Sequence, residues 1–397
     1  MSATVAIVEP KPQDLIDFAA SMGPRLRERA LQGEQDCKIP EESIAEMKRA
    51  GLFRVLQPRR FGGYEMDVSV FYDIQMELAK HCMSTAWVYG VVAVHNWQLA
   101  LFDLKAQQDV WSADSDMLIS SSYMPKAKIT TVPGGYRISG RWGFSSGVDH
   151  CGWAFLGGLL VPPGGGAPDF VTFLVPKSDY IVHHVWDTVG LRGTGSHDVE
   201  IVDAFVPEHR LHYSRHGAEG TSPGLSINTN PLYRLPFGQI FVRAVSTSSI
   251  GALEGAAEAF RAYASKRVSS NDMSRAALNP VAQTVAADTM VEIDEMKLVL
   301  HRNFARMTAL AASGAAPSLD ERLLFRLQAA KVVDRCADLI SRMFYSCGAS
   351  GVYRSGPVAR TFVDIHTGRT HVANNPDKFA RNYGGVLLGE ENTDTFI

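Results

Sequence analysis

Two adjacent hydroxyls stand between aromatic residues at Phe144-Ser145-Ser146-Gly147, inside the segment Arg141 to Leu160. A flat aromatic cofactor needs apolar or aromatic walls for its ring faces. It also needs short polar groups, on backbone that can come close, for its ring edge. Ser145, Ser146 and Gly147 supply those groups, and a cofactor of that shape suggests redox chemistry. The alternation around them reads as paired strands. Gly143 to Gly147 also fits the G-x-S-x-G of a hydrolase nucleophile elbow, but that elbow needs a strand, a sharp turn and a helix. Here Trp153 to Val161 reads as another strand, and a plain polar turn is the simpler alternative.

His95 lies in the apolar helical run Val91 to Leu101. A satisfied core position explains a lone histidine there readily, whereas burial that holds an imidazole near neutrality would suit proton transfer. Ser120-Ser121-Ser122-Tyr123 adds hydroxyls where helix gives way to strand, although serine-rich strand edges are common. His366 and His371 are five apart and do not share a helix face, so a metal site is not expected; a loop carrying one functional histidine around Gly368 is. His183 and His184 point to opposite faces of a strand. Gly190 to Gly195 leads into a strand instead of a helix N-terminus, so no nicotinamide fingerprint is present. Lys266-Arg267 ends a long helical run, which suits either the helix dipole or a phosphate.

These residues must be held by three kinds of segment. From Lys11 to about Met117 apolar residues recur at helical spacing. From about Leu118 to Leu211 short alternating runs with turn dipeptides read as strands (Ile119 to Tyr123, Tyr136 to Ile138, Phe170 to Val175, Val199 to Val206), with Pro162 to Pro168 as a hairpin connection. After the Gly/Ser/Asn-rich crossing Gly217 to Thr229, helical periodicity returns over Phe237 to Val268, Val281 to Ala312, Leu319 to Tyr345 and Pro357 to Ile365. The order of helices, strands and helices, without βαβ alternation, excludes a Rossmann fold or α/β barrel. Trp97, Tyr123, Trp186, Phe205 and the crossing would set the size of a substrate pocket.

With 397 residues and 46% hydrophobic content the chain can bury a large core. Its 39 basic and 42 acidic residues are spread along it, giving a net charge of -3 and no basic patch for nucleic acid or a membrane. Five dispersed cysteines form no C-x-x-C pair, so neither a disulfide framework nor a zinc cage is indicated, and a reduced cytoplasmic setting is expected. Neither a signal peptide nor an apolar run of about 18 residues is evident.

Taken in order, Ser84-Thr-Ala-Trp-Val88, Val94-His-Asn-Trp-Gln-Leu-Ala-Leu-Phe102, Ser120-Ser-Ser-Tyr123, Trp142-Gly-Phe-Ser-Ser-Gly147, Gly190-Leu-Arg-Gly-Thr-Gly-Ser196, Lys266-Arg-Val268 and His371-Val-Ala-Asn374 span nearly the whole chain. This set resembles the flavin-dependent monooxygenases built on the acyl-CoA dehydrogenase fold, the oxygenase components of two-component aromatic hydroxylases. The likeness is greatest to the secosteroid phenol and 4-hydroxyphenylacetate hydroxylases.

The resemblance implies an α+β chain with an N-terminal helical domain (1–117), a middle β-barrel domain (118–216) and a C-terminal four-helix bundle (217–397), assembled as a homotetramer. It implies reduced FMN or FAD from a separate NAD(P)H-flavin reductase, dioxygen as co-substrate, no metal, and passage through a flavin C4a-hydroperoxide. Trp87, Ser121, Phe144, Ser145 and Ser146 would line the flavin. Arg267 of a neighbouring subunit and Cys347-Gly348 would hold its ribityl-phosphate side, with Cys347 standing where the family has serine. His95 would deprotonate or orient a phenol with Ser121 nearby, Ser146 would meet flavin N5, and His371 would act at the flavin and oxygen face. Ortho hydroxylation of the phenol follows. Oxidation at sulfur, nitrogen or an indole ring is the alternative, along with a flavin-free scaffold. The acyl-CoA dehydrogenases themselves need a carboxylate base near the C-terminus, and His371-Val-Ala-Asn374 offers none.

Overall fold

The structure, a computed structural model, describes residues 9–162, 164–269, 273–394, 396 and 397. Of the segments read above, the start of the chain and Pro163 of the hairpin connection lie outside them. Six helices come first: α1 (Pro12–Ser21), α2 (Gly23–Asp36), α3 (Glu41–Arg49), α4 (Val68–Ala79), α5 (Met83–Leu99) and α6 (Leu104–Trp111). Seven strands follow: β1 (Ile119–Val132), β2 (Gly135–Ser145), β3 (Trp153–Leu160), β4 (Asp169–Pro176), β5 (Ile181–His183), β6 (His197–Pro207) and β7 (Leu211–Tyr213). The remainder is helical: α7 (Ser214–Glu219), α8 (Phe237–Ala244), α9 (Thr247–Lys266), α10 (Pro280–Ala312), α11 (Leu319–Cys347), α12 (Pro357–Arg369) and α13 (Pro376–Leu387).

The apolar faces of the N-terminal helices and of α8 to α12 merge in one core that runs from Leu15 through Phe71 and Val92 to Phe304, Val333 and Ile365. Every residue of α5 is buried, so this helix is the axis of the molecule. It packs on α4, α8, α9 and β1. Gly90 permits that crowding: a Cβ there would lie 2.0 Å from Gln75 Nε2, whose amide donates to the carbonyls of Ala86 and Ala244. The sheet has its own core, including Ile138, Trp142, Phe173 and Ile201. A third cluster with Leu99, Phe102, Ile119 and Phe155 joins it to α5.

The expected barrel is not formed. The strands make one open sheet of order β5-β6-β2-β1-β3-β4-β7. Its two edges, β5 and β7, are three-residue strands that pair only inward, too short to meet and close a cylinder. The strands flanking Ser145 and Ser146 are not paired with each other either. β1 lies between them, antiparallel to β2 through Lys128 to Val132 and parallel to β3 through Ile119 to Ala127. Trp142 bridges the gap by donating its indole N–H to the Gly157 carbonyl at 2.9 Å.

Two helical readings also change. The run Phe237 to Val268 is broken between α8 and α9, where the Val245 carbonyl accepts from Asn374 Nδ2 and four hydroxyl residues, Ser246 to Ser249, follow. The four hydroxyls are buried and make no hydrogen bond among the described residues, and Thr247 to Ser249 already belong to α9, so the break is marked by the Asn374 bond and not by side-chain capping. His366 and Gly368, read as loop, lie inside α12; the loop starts at Thr370. α11 opens with a capping box in which Ser318 Oγ accepts from the Glu321 N–H at 3.2 Å and the Glu321 carboxylate accepts from the Ser318 N–H at 2.9 Å. Ser318→Ala is expected to cost about 1 kcal/mol, read as a thermal midpoint lowered by about 2 °C. An unchanged midpoint would show that tertiary packing alone holds this helix start.

Candidate active site

Trp87, Val91 and His95 follow one another at i, i+4 and i+8 on α5, so the two rings share one side of the helix about 12 Å apart along its axis. His95 Nδ1 lies 2.6 Å from the Ile119 carbonyl, which can only accept, so the ring proton sits on Nδ1. Nε2 is then an open lone pair, fully buried and without a partner. Burial pushes the imidazole down to about 4, the Ile119 bond opposing this, so the ring is neutral and Nε2 is an acceptor through the physiological range. Phe155 and Tyr123 meet it edge-on at 5.5 and 6.2 Å, and Phe241 of α8 stacks over it at 6.5 Å. Tyr123 Oη donates to Gln98 and Ser121 hydrogen-bonds the same phenol; burial holds that hydroxyl well above its usual range, the two hydrogen bonds opposing this. Ile119, Ser121 and Tyr123 thus share the face of β1 that looks onto α5.

At the other end, the Trp87 indole N–H donates to Ser146 Oγ at 3.3 Å. The chain turns there through Gly147, at φ +70°, and a Cβ on it would lie 2.8 Å from Val88 Cγ1 of α5. The Ser145 hydroxyl is buried and unpartnered. His371 meets the Trp87 ring edge-on at 5.7 Å. It caps the turn Val372–Asn374 by accepting the Ala373 N–H on Nδ1 at 3.1 Å. Burial, and then Arg326, push His371 down to about 4. It is therefore neutral with its proton on Nε2, the reverse of His95: the free nitrogen of His95 is a buried acceptor and that of the half-buried His371 is a donor.

Trp87, Ser145, Ser146 and His371 therefore gather at one end of α5 and His95, Ser121 and Tyr123 at the other. Phe144 does not join them. Its backbone is left-handed, at φ 63°, which throws the side chain out of strand alternation; the ring is 66% exposed and leans edge-on against Trp186 at 6.0 Å. Arg267 stacks on Tyr263 and donates to the Cys347 carbonyl of its own chain, beside Gly348, with no contact to the Trp87 group among the described residues. Burial raises the Cys347 thiol above its ordinary value. Among the residues expected to shape a pocket, Phe205 sits on the outer face of the sheet, Trp186 is tied to the Leu191 carbonyl, and Trp97 is locked to the Leu232 carbonyl at 2.9 Å. Only Tyr123 reaches His95. Phe155, Phe241, Ser196 and Thr194 were not among the expected site residues; the first two carry no local signal, whereas the serine and threonine lie in Gly190 to Ser196, a segment that marks the family resemblance but had no role assigned to its hydroxyls.

Asp149, His184 and His197 also bring three ligand-type atoms within 4.8 Å of one another. His197 Nδ1 accepts the Trp186 N–H at 3.3 Å, so its Nε2 carries the ring proton, the Cys37 backbone hydrogen-bonds the ring, and no lone pair is left for an ion. A cleft of about 510 Å³ opens elsewhere, between the Thr188 to Arg192 loop and α12, and holds none of the predicted site residues.

A reduced flavin fits the residues that are present. An indole wall, a buried free hydroxyl at Ser145, the Ser146 oxygen and two neutral imidazoles provide apolar faces and a polar edge, with the buried Arg326 guanidinium near enough to act on His371. Helical flanks around this sheet place the chain in the acyl-CoA dehydrogenase class: the N-terminal domain of that family matches residues 16–114 and its C-terminal domain 244–376. Closer relatives narrow this. The chain is 39% identical to the flavin-dependent monooxygenase oxygenase subunit HsaA of Rhodococcus jostii strain RHA1, over 94% of this chain and 98% of that one. It is 31% identical to the FADH(2)-dependent resorcinol hydroxylase oxygenase component of Rhizobium sp. strain MTP-10005, over 95% and 94%. The crystal structure of the HsaA monooxygenase from M. tuberculosis superposes with a TM-score of 0.93 at 35% identity, over 98% of this chain and all of that one. The chain belongs to the flavin-dependent monooxygenase family, as an oxygenase subunit. No helix among the described residues is long and apolar enough to cross a membrane.

Proposed function

We propose that this chain hydroxylates a phenol ortho to its hydroxyl group, using reduced FMN or FAD delivered by a separate NAD(P)H-flavin reductase and dioxygen as co-substrate. The observation that carries the reading is the open, unprotonated Nε2 of His95 in a wall of aromatic rings. Bound reduced flavin supplies the electrons that activate dioxygen. Trp87, Ser145, Ser146 and His371 would hold it, with Ser121 toward the substrate. Arg267 of a neighbouring subunit and Cys347-Gly348 would hold the phosphate end of the ribityl chain, which requires an assembly of subunits, and a homotetramer is proposed. The Phe144 backbone, not its exposed ring, would meet the flavin.

His95 Nε2 accepts the phenol O–H and draws its proton away, so electron density moves onto the ortho carbon and makes it the nucleophile. The ring does not have to lose a proton first, because burial has already kept it neutral. Phe155, Phe241 and Tyr123 exclude water from the pair, which preserves both the hydrogen bond and the activated oxygen. Over one turnover one atom of dioxygen enters the ring and the other leaves as water. The test is a pairwise comparison: phenols should be hydroxylated, while their O-methyl ethers, which have no proton for His95, should consume oxygen and release peroxide. Equal product from both members of a pair would remove the phenol requirement.

A pH consequence follows from the same ring. His95 and His371 are held at about 4, so neither gives hydroxylation an acid limb near 6.5. For stability the sign runs the other way. In the unfolded chain both would take up a proton near 6.5 that the folded chain refuses until about 4, so the unfolded state binds more protons in that window. Stability is full above about 6.5 and falls as the pH drops from about 6.5 to 4. Thermal midpoints at pH 7.5, 6 and 5 should decline in that order while initial product per turnover stays level; a rate limb with an apparent pKa near 6.5 would contradict the assignment of a neutral His95.

A further inference from the structure

Ser146 heads a line of buried hydroxyls. Its Oγ is 2.7 Å from Ser196 Oγ, Ser196 Oγ is 2.7 Å from Thr194 Oγ1, and Thr194 Oγ1 is 2.8 Å from the Leu191 carbonyl. All three side chains are at least nine-tenths buried. The direction of this line is fixed by counting protons. Leu191 can only accept, so the Thr194 proton goes to it. The Thr194 oxygen must then accept the Ser196 proton, and the Ser196 oxygen the Ser146 proton. Any other arrangement leaves two oxygens 2.7 Å apart with no proton between them. Leu191 is itself pinned, since its N–H donates to Asp364 Oδ1 at 2.6 Å. Ser146 has thus given its proton inward and accepts the Trp87 N–H with one lone pair. Toward a ligand it has one lone pair left and can only accept.

We propose that Thr194 and Ser196 are positioning residues that hold the Ser146 hydroxyl as an acceptor toward flavin N5, so that the site selects the reduced flavin over the oxidised one. N5 of a reduced flavin carries a proton and would donate to Ser146. N5 of an oxidised flavin carries only a lone pair, which would face another lone pair. The inference rests on the reading that Ser146 faces N5. It accounts for how an oxygenase that borrows its flavin could take the reduced form and release the spent one without a moving part.

The test uses the full chain and its T194V, S196A, T194S and S146A variants, with oxidised FMN titrated in air and reduced FMN titrated anaerobically. In T194V and S196A the Ser146 proton is freed to turn outward. The ratio of the oxidised to the reduced dissociation constant should fall by about tenfold, roughly one hydrogen bond's worth. The bound flavin's two-electron midpoint potential should fall with it, by about 30 mV. T194S, which keeps the hydroxyl, should keep the wild-type ratio. If S146A weakens reduced FMN but T194V and S196A leave the ratio within about twofold of wild type, the orientation line is overturned and the N5 contact stands. If S146A changes neither dissociation constant, the N5 contact fails and the inference fails with it.

Discussion

Replacing His95 with asparagine is expected to lower hydroxylation of a phenol by about 10²- to 10⁴-fold, the range a positioned general base contributes. Reduced flavin should bind almost as before. The separation of the two effects comes from α5, where Trp87 and His95 are two turns apart, so a change at His95 leaves the Trp87, Ser146 and His371 group untouched. Asparagine can still bond the Ile119 carbonyl, but it cannot take a proton with an amide. The loss should fall on product, not on oxygen uptake: oxygen consumption by electrode continues, peroxide appears in place of product, and catechol by chromatography collapses. Burial makes the effect large. Phe155, Phe241 and Tyr123, packed around the ring, offer a substitute base such as water only apolar ring surface to bind against. Undiminished catechol from H95N would take His95 out of the mechanism.

The second large effect is expected from His371→Ala. The Ala373 N–H fixes Nδ1 as acceptor, so the neutral ring offers Nε2–H as its one donor, next to Trp87. A preorganised donor in a site that excludes water contributes about 10²- to 10³-fold when it is aimed at developing charge on oxygen. Removing it should cut the catechol formed per oxygen consumed by about that factor, with the difference recovered as peroxide. His371→Gln, which keeps a donor, should recover part of the yield. The alanine variant also loses the cap of the Val372–Asn374 turn. A circular dichroism melt therefore accompanies the assay, and a yield unchanged in a folded variant would leave His371 with a structural role only.

Much of this site was legible before any coordinates, because it depends on residue type and local order. The Ser145-Ser146 pair sits at the end of a strand, and His95 lies on an apolar helix; both are local facts. The switch from helical to alternating periodicity near Leu118 placed the strands, which begin at Ile119. What could not be read depends on partners far along the chain. The tautomer of His95 is set by a carbonyl 24 residues away, and its walls come from Phe155 and Phe241. Strand order was equally hidden: alternation in β2 and β3 says nothing of β1 lying between them, nor of edges too short to close a barrel. The direction of the Phe144 ring was hidden for a local reason of another kind, since a left-handed backbone reverses a side chain that alternation would have turned inward. The direction of the Ser146 line needed distances between hydroxyls, although its members were in plain sight in Gly190 to Ser196.

The most direct test of the central claim, that a buried neutral His95 makes a phenol's ortho carbon receive oxygen from a borrowed reduced flavin, is one anaerobic loading of the full chain with reduced FMN followed by a single exposure to ¹⁸O₂ in the presence of a phenol. The account predicts an ortho-diol bearing one ¹⁸O atom, formed by wild type and lost in H95N while flavin oxidation proceeds in both. Peroxide alone from wild type across a panel of phenols, or a labelled diol from H95N in wild-type yield, would contradict it.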